Sequence, residues 1–140
     1  MLDDVSLASA LARFGDEITG IVSLYLFGSR AGGRAHRESD TDVALLLDRA
    51  LYPDRQRRFD ARIRLTTRLM EALRSADIDV VILNDAPPPL ARAIVTRGMR
   101  AFCRDTEADH EFVRTTLLRA ADLEPFVRRL RRIKLAAIAR

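Results

Sequence analysis

Apolar residues in this chain recur in two rhythms that alternate along its length. Leu7, Leu11, Phe14 and Ile18 fall three or four residues apart, which predicts a helix over 3–19 with Asp4 as its cap and Gly20 at its end. Mostly apolar runs at 21–27, 41–47 and 78–83 instead read as short buried strands. Pro53-Asp54 opens a long helix to about Ser75, with Phe59, Ile63, Leu65, Leu69 and Leu73 as its expected buried stripe. Pro87-Pro88-Pro89 is a rigid connector into a helix over about 90–97, closed by Gly98, and a short strand at 99–103 follows. From Thr106 onward the spacing is helical, with a break or kink expected at Pro125. Alternating helices and strands predict an α/β fold, a small mixed β-sheet flanked by helices, formed by one domain over 1–140.

Composition narrows the function classes. With 48% hydrophobic residues over 140 positions the chain can bury a modest core and is not disordered. No apolar run approaches the roughly 20 residues of a membrane span, and Asp3 and Asp4 stand where a secretory leader would be basic, so a cytoplasmic protein without membrane contact is expected. The net charge of +4 rests on arginine, since Lys134 is the sole lysine. Arginine suits phosphate and carboxylate recognition. No aromatic residues interleave with the basic ones as stacking platforms, so direct nucleic-acid binding is not expected. Cys103, alone, reads as a small buried hydrophobe rather than a nucleophile.

The candidate chemistry lies where strands begin and end. The run Leu24-Tyr25-Leu26-Phe27 stops at Gly28-Ser29, a turn where glycine allows close backbone approach and leaves amides for an anion. After ten residues come Asp40-Thr41-Asp42 and a second apolar run. Alternate residues of a strand share a face, so Asp40 and Asp42 would point the same way about 6.6 Å apart at Cα, within reach of shared cations. Magnesium takes this ligand type, carboxylates together with substrate phosphates. Asp79, a lone acid opening the run Ile78 to Leu83, needs either an arginine partner from the long helix or a cation. Tyr25 reads as core, and neither His36 nor His110 has partners for a metal site or a dyad.

Gly28-Ser29, the ten-residue gap, Asp40-x-Asp42 and the later Asp79 resemble the signature of the DNA polymerase beta-like nucleotidyltransferase superfamily. Within it, the short length and the segments Val81-Ile82-Leu83-Asn84-Asp85-Ala86-Pro87-Pro88, Arg97 to Asp105 and Asp122-Leu123-Glu124-Pro125-Phe126 resemble the minimal nucleotidyltransferase (MNT) antitoxins of the MntA type. The resemblance covers residues 20 to 130. It implies a polymerase beta-like fold and a catalytic set of Asp40, Asp42 and Asp79 holding two Mg²⁺ ions. Gly28, Ser29 and Arg30 would then bind the nucleotide phosphates. It also implies transfer of AMP from ATP to a tyrosine hydroxyl of a co-encoded HEPN ribonuclease toxin, with which the chain would form a hetero-oligomer.

Simpler readings stand beside these. Asp40 and Asp42 could be a polar strand entry, Ser29 a helix cap, and Arg30, Arg34 and Arg37 a solvated basic loop. The stretch Phe126, Leu130, Ile133, Ala137, surrounded by Arg128, Arg129, Arg131, Arg132 and Lys134, is either a solvated face or a docking helix. The resemblance favours docking by the segment at about 106–140. Two other functions remain open: an antitoxin that masks its toxin by binding alone, and a transferase acting on a small molecule.

Overall fold

The computed structural model describes residues 4–28 and 41–138. The elements run α1 (Asp4–Glu17), β1 (Ile21–Phe27), β2 (Thr41–Leu47), α2 (Arg55–Leu73), β3 (Ile78–Ile82), a 3₁₀ turn (Leu83–Asp85), α3 (Pro88–Arg97), β4 (Met99–Cys103) and α4 (Thr106–Ile138). The strands form one mixed sheet in the order β3-β2-β1-β4, with β2 and β3 parallel and the other neighbours antiparallel.

Side-chain alternation divides the core into two layers. Leu24, Leu26, Val43, Leu45, Ile78 and Val80 face α1 and α2, where they meet Leu7, Leu11, Phe14, Leu65 and Leu69. Tyr25, Ala44 and Leu46 face the other way, toward Ala91 and Ile94 of α3 and Phe112 of α4. Helix α2, which links the parallel strands, is fastened to β3 and the turn after it. The Arg58 guanidinium donates twice to Asp85 at 2.9 Å, and that bond raises its pKa above the ordinary value. Arg62 Nε donates to the Val80 carbonyl at 2.8 Å, which gives the outer edge of β3 a partner. Asn84 prolongs β2, accepting from Leu47 N–H and donating to Leu47 O, each at 2.9 Å.

Three expectations are corrected. The buried stripe of α2 is Ala61, Leu65, Leu69 and Leu73, whereas Phe59 and Ile63 are 50% and 56% exposed. Each lies two residues before a stripe position, about 200° around the helix, and Ala61 is small enough to let α2 approach the sheet there. Helix α3 begins at Pro88 rather than near 90, because prolines in the first turn lack only N–H groups that have no helical acceptor. Helix α4 continues unbroken through Pro125. The ring frees the Ala121 carbonyl, and Ala121 is exposed, so water can take it. Cys103 is half-buried on β4.

Two polar fasteners were not foreseen. Arg104 donates to the carbonyls of Gly15, Asp16, Ile18 and Ile21 and so closes the end of α1. Asp109, 1% exposed in the first turn of α4, accepts from Ser23 Oγ at 2.7 Å, Tyr25 Oη at 2.8 Å and Arg100 at 2.8 Å. Burial first, and then this hydrogen bond, push the Tyr25 hydroxyl pKa well above its ordinary value, and the same carboxylate raises that of Arg100.

Candidate active site

One end of the sheet gathers the site. Strand β1 stops at Gly28, which has φ +80, a conformation that side chains other than glycine rarely adopt. A Cβ at Gly28 would run into the Asp42 carboxylate, reaching 3.1 Å from its Cγ. Two separate reasons therefore keep this position glycine, and both bring bare backbone against an acid.

Asp42 is the second residue of β2 and faces Phe27 on β1 and Asp79 on β3 in register. The bond from Thr41 N–H to Asp77 O, 2.8 Å, aligns the starts of the two parallel strands. Paired positions of neighbouring strands point to the same face, so the two carboxylates stand side by side with Cα atoms about 4.8 Å apart. Their face is that of Ala44 and Val81, on the side of α3 and α4.

Arg62 reaches round the edge of β3 and places a guanidinium nitrogen 4.0 Å from Asp79 Oδ1. The arginine partner from the long helix therefore exists. The pair is loose and open to water, with the Asp79 side chain 59% exposed, so it neutralises the acid weakly. Two carboxylates this close favour a cation between them, and hard oxygen donors on two adjacent strands fit a magnesium ion. Of the expected site residues, Gly28, Asp42 and Asp79 are brought together. Asp40, Ser29 and Arg30, with Arg34, His36 and Arg37, lie outside the described residues. His110 is exposed at the other end of the sheet, on the first turns of α4.

A model of the polymerase beta nucleotidyltransferase family matches residues 10–107, a span that contains both strands and the glycine turn. The chain belongs to this family. Among members and neighbours, a protein adenylyltransferase, MntA of Shewanella oneidensis MR-1, is 36% identical over 96 residues. That match covers 69% of this chain and 63% of the relative's length. A toxin–antitoxin crystal structure with AMP-PNP superimposes with a TM-score of 0.67 at 29% identity, over 88% of this chain and 97% of the other. A complex of tri-AMPylated Shewanella oneidensis HEPN toxin with an MNT antitoxin gives 0.60 at 26% identity, over 91% and 98%. Among the described residues no helix is long and apolar enough to cross a membrane.

Proposed function

We propose that this chain is an antitoxin-type adenylyltransferase that moves AMP from ATP to a tyrosine hydroxyl of a HEPN ribonuclease toxin and so neutralises it. The observation that carries the reading is the register of Asp42 with Asp79 beside the Gly28 turn. Support for the substrate and partner comes from the similarity to an adenylyltransferase and to complexes holding AMP-PNP or an AMPylated HEPN toxin. A cytoplasmic setting accords with ATP as donor.

The tyrosine oxygen attacks the α-phosphorus of ATP, an O–P bond forms, the bond to the β-phosphate oxygen breaks, and pyrophosphate leaves. Asp42 and Asp79, joined by Asp40, are the residues to hold Mg²⁺, whose chemistry here is charge neutralisation on the triphosphate and activation of the hydroxyl. Gly28, with Ser29 and Arg30, seats the β- and γ-phosphates through backbone amides and the arginine fork. Asp79, the more exposed of the two acids, takes the proton that the tyrosine hydroxyl loses. Beyond Ala120, α4 keeps one ion pair to α3, Arg92 with Glu124, and leaves Leu123, Phe126, Leu130 and Ile133 exposed, and this face docks the toxin.

The masking alternative rests on that same exposed face, and one experiment separates the two. The chain is incubated with a HEPN toxin encoded beside it, ATP and Mg²⁺, and the toxin is analysed by mass spectrometry. Tyrosine-linked AMP that disappears with Asp42→Ala supports transfer. Inhibition of the ribonuclease without modification establishes masking instead.

A further inference from the structure

A cavity of about 880 Å³ opens at the end of the sheet opposite the carboxylates, where β1 begins and β2 and β3 finish. Its floor is apolar, built from Leu46, Leu83 and Phe112. Thr116 of α4 also lines it. This threonine is 5% exposed, and its hydroxyl makes no hydrogen bond among the described residues, although Thr66, Thr67 and Thr96 each bond back to their own helix. Burying an unpaired hydroxyl is unfavourable, so the group is poised for a partner that enters the cavity.

The charges around the opening fall into two sets. Arg104 is committed to the end of α1, while Asp48 and Asp105 accept from the backbone amides of Ala50 and Ala108. Glu107, Glu111 and Arg119 line the same cavity and have no ion-pair partner among the described residues, nor does Arg49 on the turn after β2. Along α4 the acids come first and the arginine last. Glu111 and Arg119 are eight residues apart, about 12 Å at 1.5 Å per residue. Three or four residues of extended peptide span that distance at about 3.3–3.6 Å each.

We propose that this cavity binds a small zwitterion with an apolar body and the charge separation of a tri- or tetrapeptide with free ends. The ammonium lies toward Glu107 and Glu111 and the carboxylate toward Arg119. The apolar groups rest on Leu46, Leu83 and Phe112, and a ligand carbonyl accepts from the Thr116 hydroxyl. The site is separate from the nucleotide-transfer end and does not depend on the function proposed above.

The test is an NMR titration of the ¹⁵N-labelled full chain with the tripeptide Leu-Gly-Phe, its N-acetyl form and its C-terminal amide. The free tripeptide is expected to shift cavity resonances saturably, with each capped form at least fivefold weaker. Arg119→Gln should abolish the preference for the free acid over the amide, and Glu107→Gln with Glu111→Gln the preference for the free amine. Thr116→Val should weaken the free and capped peptides alike. The three charged side chains are on exposed residues, so their replacement spares the fold. Absence of shifts at millimolar peptide, shifts confined to the outer part of α4, or preferences that survive the charge substitutions would overturn the assignment.

Discussion

Asp42 and Asp79 are register partners on parallel strands, and Arg62 of α2 comes within 4.0 Å of Asp79. The two acids therefore differ in surroundings although they share a face. Asp42 is pressed against the turn that ends β1, while Asp79 stands at the open edge of the sheet.

Replacing Asp79 by Asn should lower AMP transfer by about two to three orders of magnitude, the scale of several kcal/mol of transition-state stabilisation at a metal site. Because the side chain is exposed and its ion pair loose, stability should stay within about 0.5 kcal/mol of the parent. Radiolabelled AMP transfer and thermal melts together check both halves, and a large loss of stability would show that Asp79 is a structural acid.

Gly28→Ala should cost about 1–2 kcal/mol, since the new methyl group meets the Asp42 carboxylate and the backbone is left-handed. Denaturant unfolding measures the loss. Transfer activity should fall further than stability predicts, because the methyl displaces Asp42.

Mg²⁺ with a non-hydrolysable ATP analogue should raise the melting temperature of the parent chain by about 5–10 °C at a hundredfold excess over Kd. The same additions should leave an Asp42→Asn, Asp79→Asn double variant nearly unmoved. Equal shifts in both proteins would place the ligand elsewhere.

The chain has two tyrosines, and one of them donates to a buried carboxylate. The Tyr25 hydroxyl has its pKa raised on folding, so its contribution is fully present below the unfolded value near 10 and disappears as pH climbs toward the folded value. Stability should hold up to about pH 9.5 and decline above it. Tyr25→Phe should remove about 1–3 kcal/mol at neutral pH by taking one donor from Asp109, and should flatten the alkaline decline. Ultraviolet titration should show the Tyr25 phenol ionising only with unfolding.

Leu130→Asp and Ile133→Asp change side chains that are 47% and 59% exposed, so the melting temperature should hardly move. Toxin capture, measured by surface plasmon resonance, should fall at least tenfold. Undiminished capture would place the docking face on another element.

The strands were legible because β1 and most of β2 are buried on both sides and β3 on one, and so read as mostly apolar runs, and the spacing from Gly28 to Asp42 survives any error in helix boundaries. Register was not legible. Nothing in the letters says that residue 79 lands opposite 42, since that depends on how α2 seats through Arg58, Arg62 and Asp85. The α2 stripe was misread because Phe59 and Ile63 are as apolar as the true stripe, and only the small Ala61 marks the approach. Asp109 looked like one more acid in a first turn, yet two of its three donors, Ser23 and Tyr25, come from β1, far away in sequence, and the third from the neighbouring β4. The 880 Å³ cavity, formed between elements, leaves no local signal.

The anchoring of α4 has a mechanical corollary. Its root is clamped at Asp109, packed as far as Ala120 and tied once more where Arg92 of α3 meets Glu124 at 3.5 Å, and the eleven residues from Arg128 to Ile138 extend about 16 Å further. One residue inserted after Ala120 would swing everything beyond it by about 100°, aiming Phe126 and Leu130 at a different quadrant while leaving each helical turn intact. Whatever this lever grips is thus oriented toward the carboxylate end of the sheet by phase, with no hinge to correct an error.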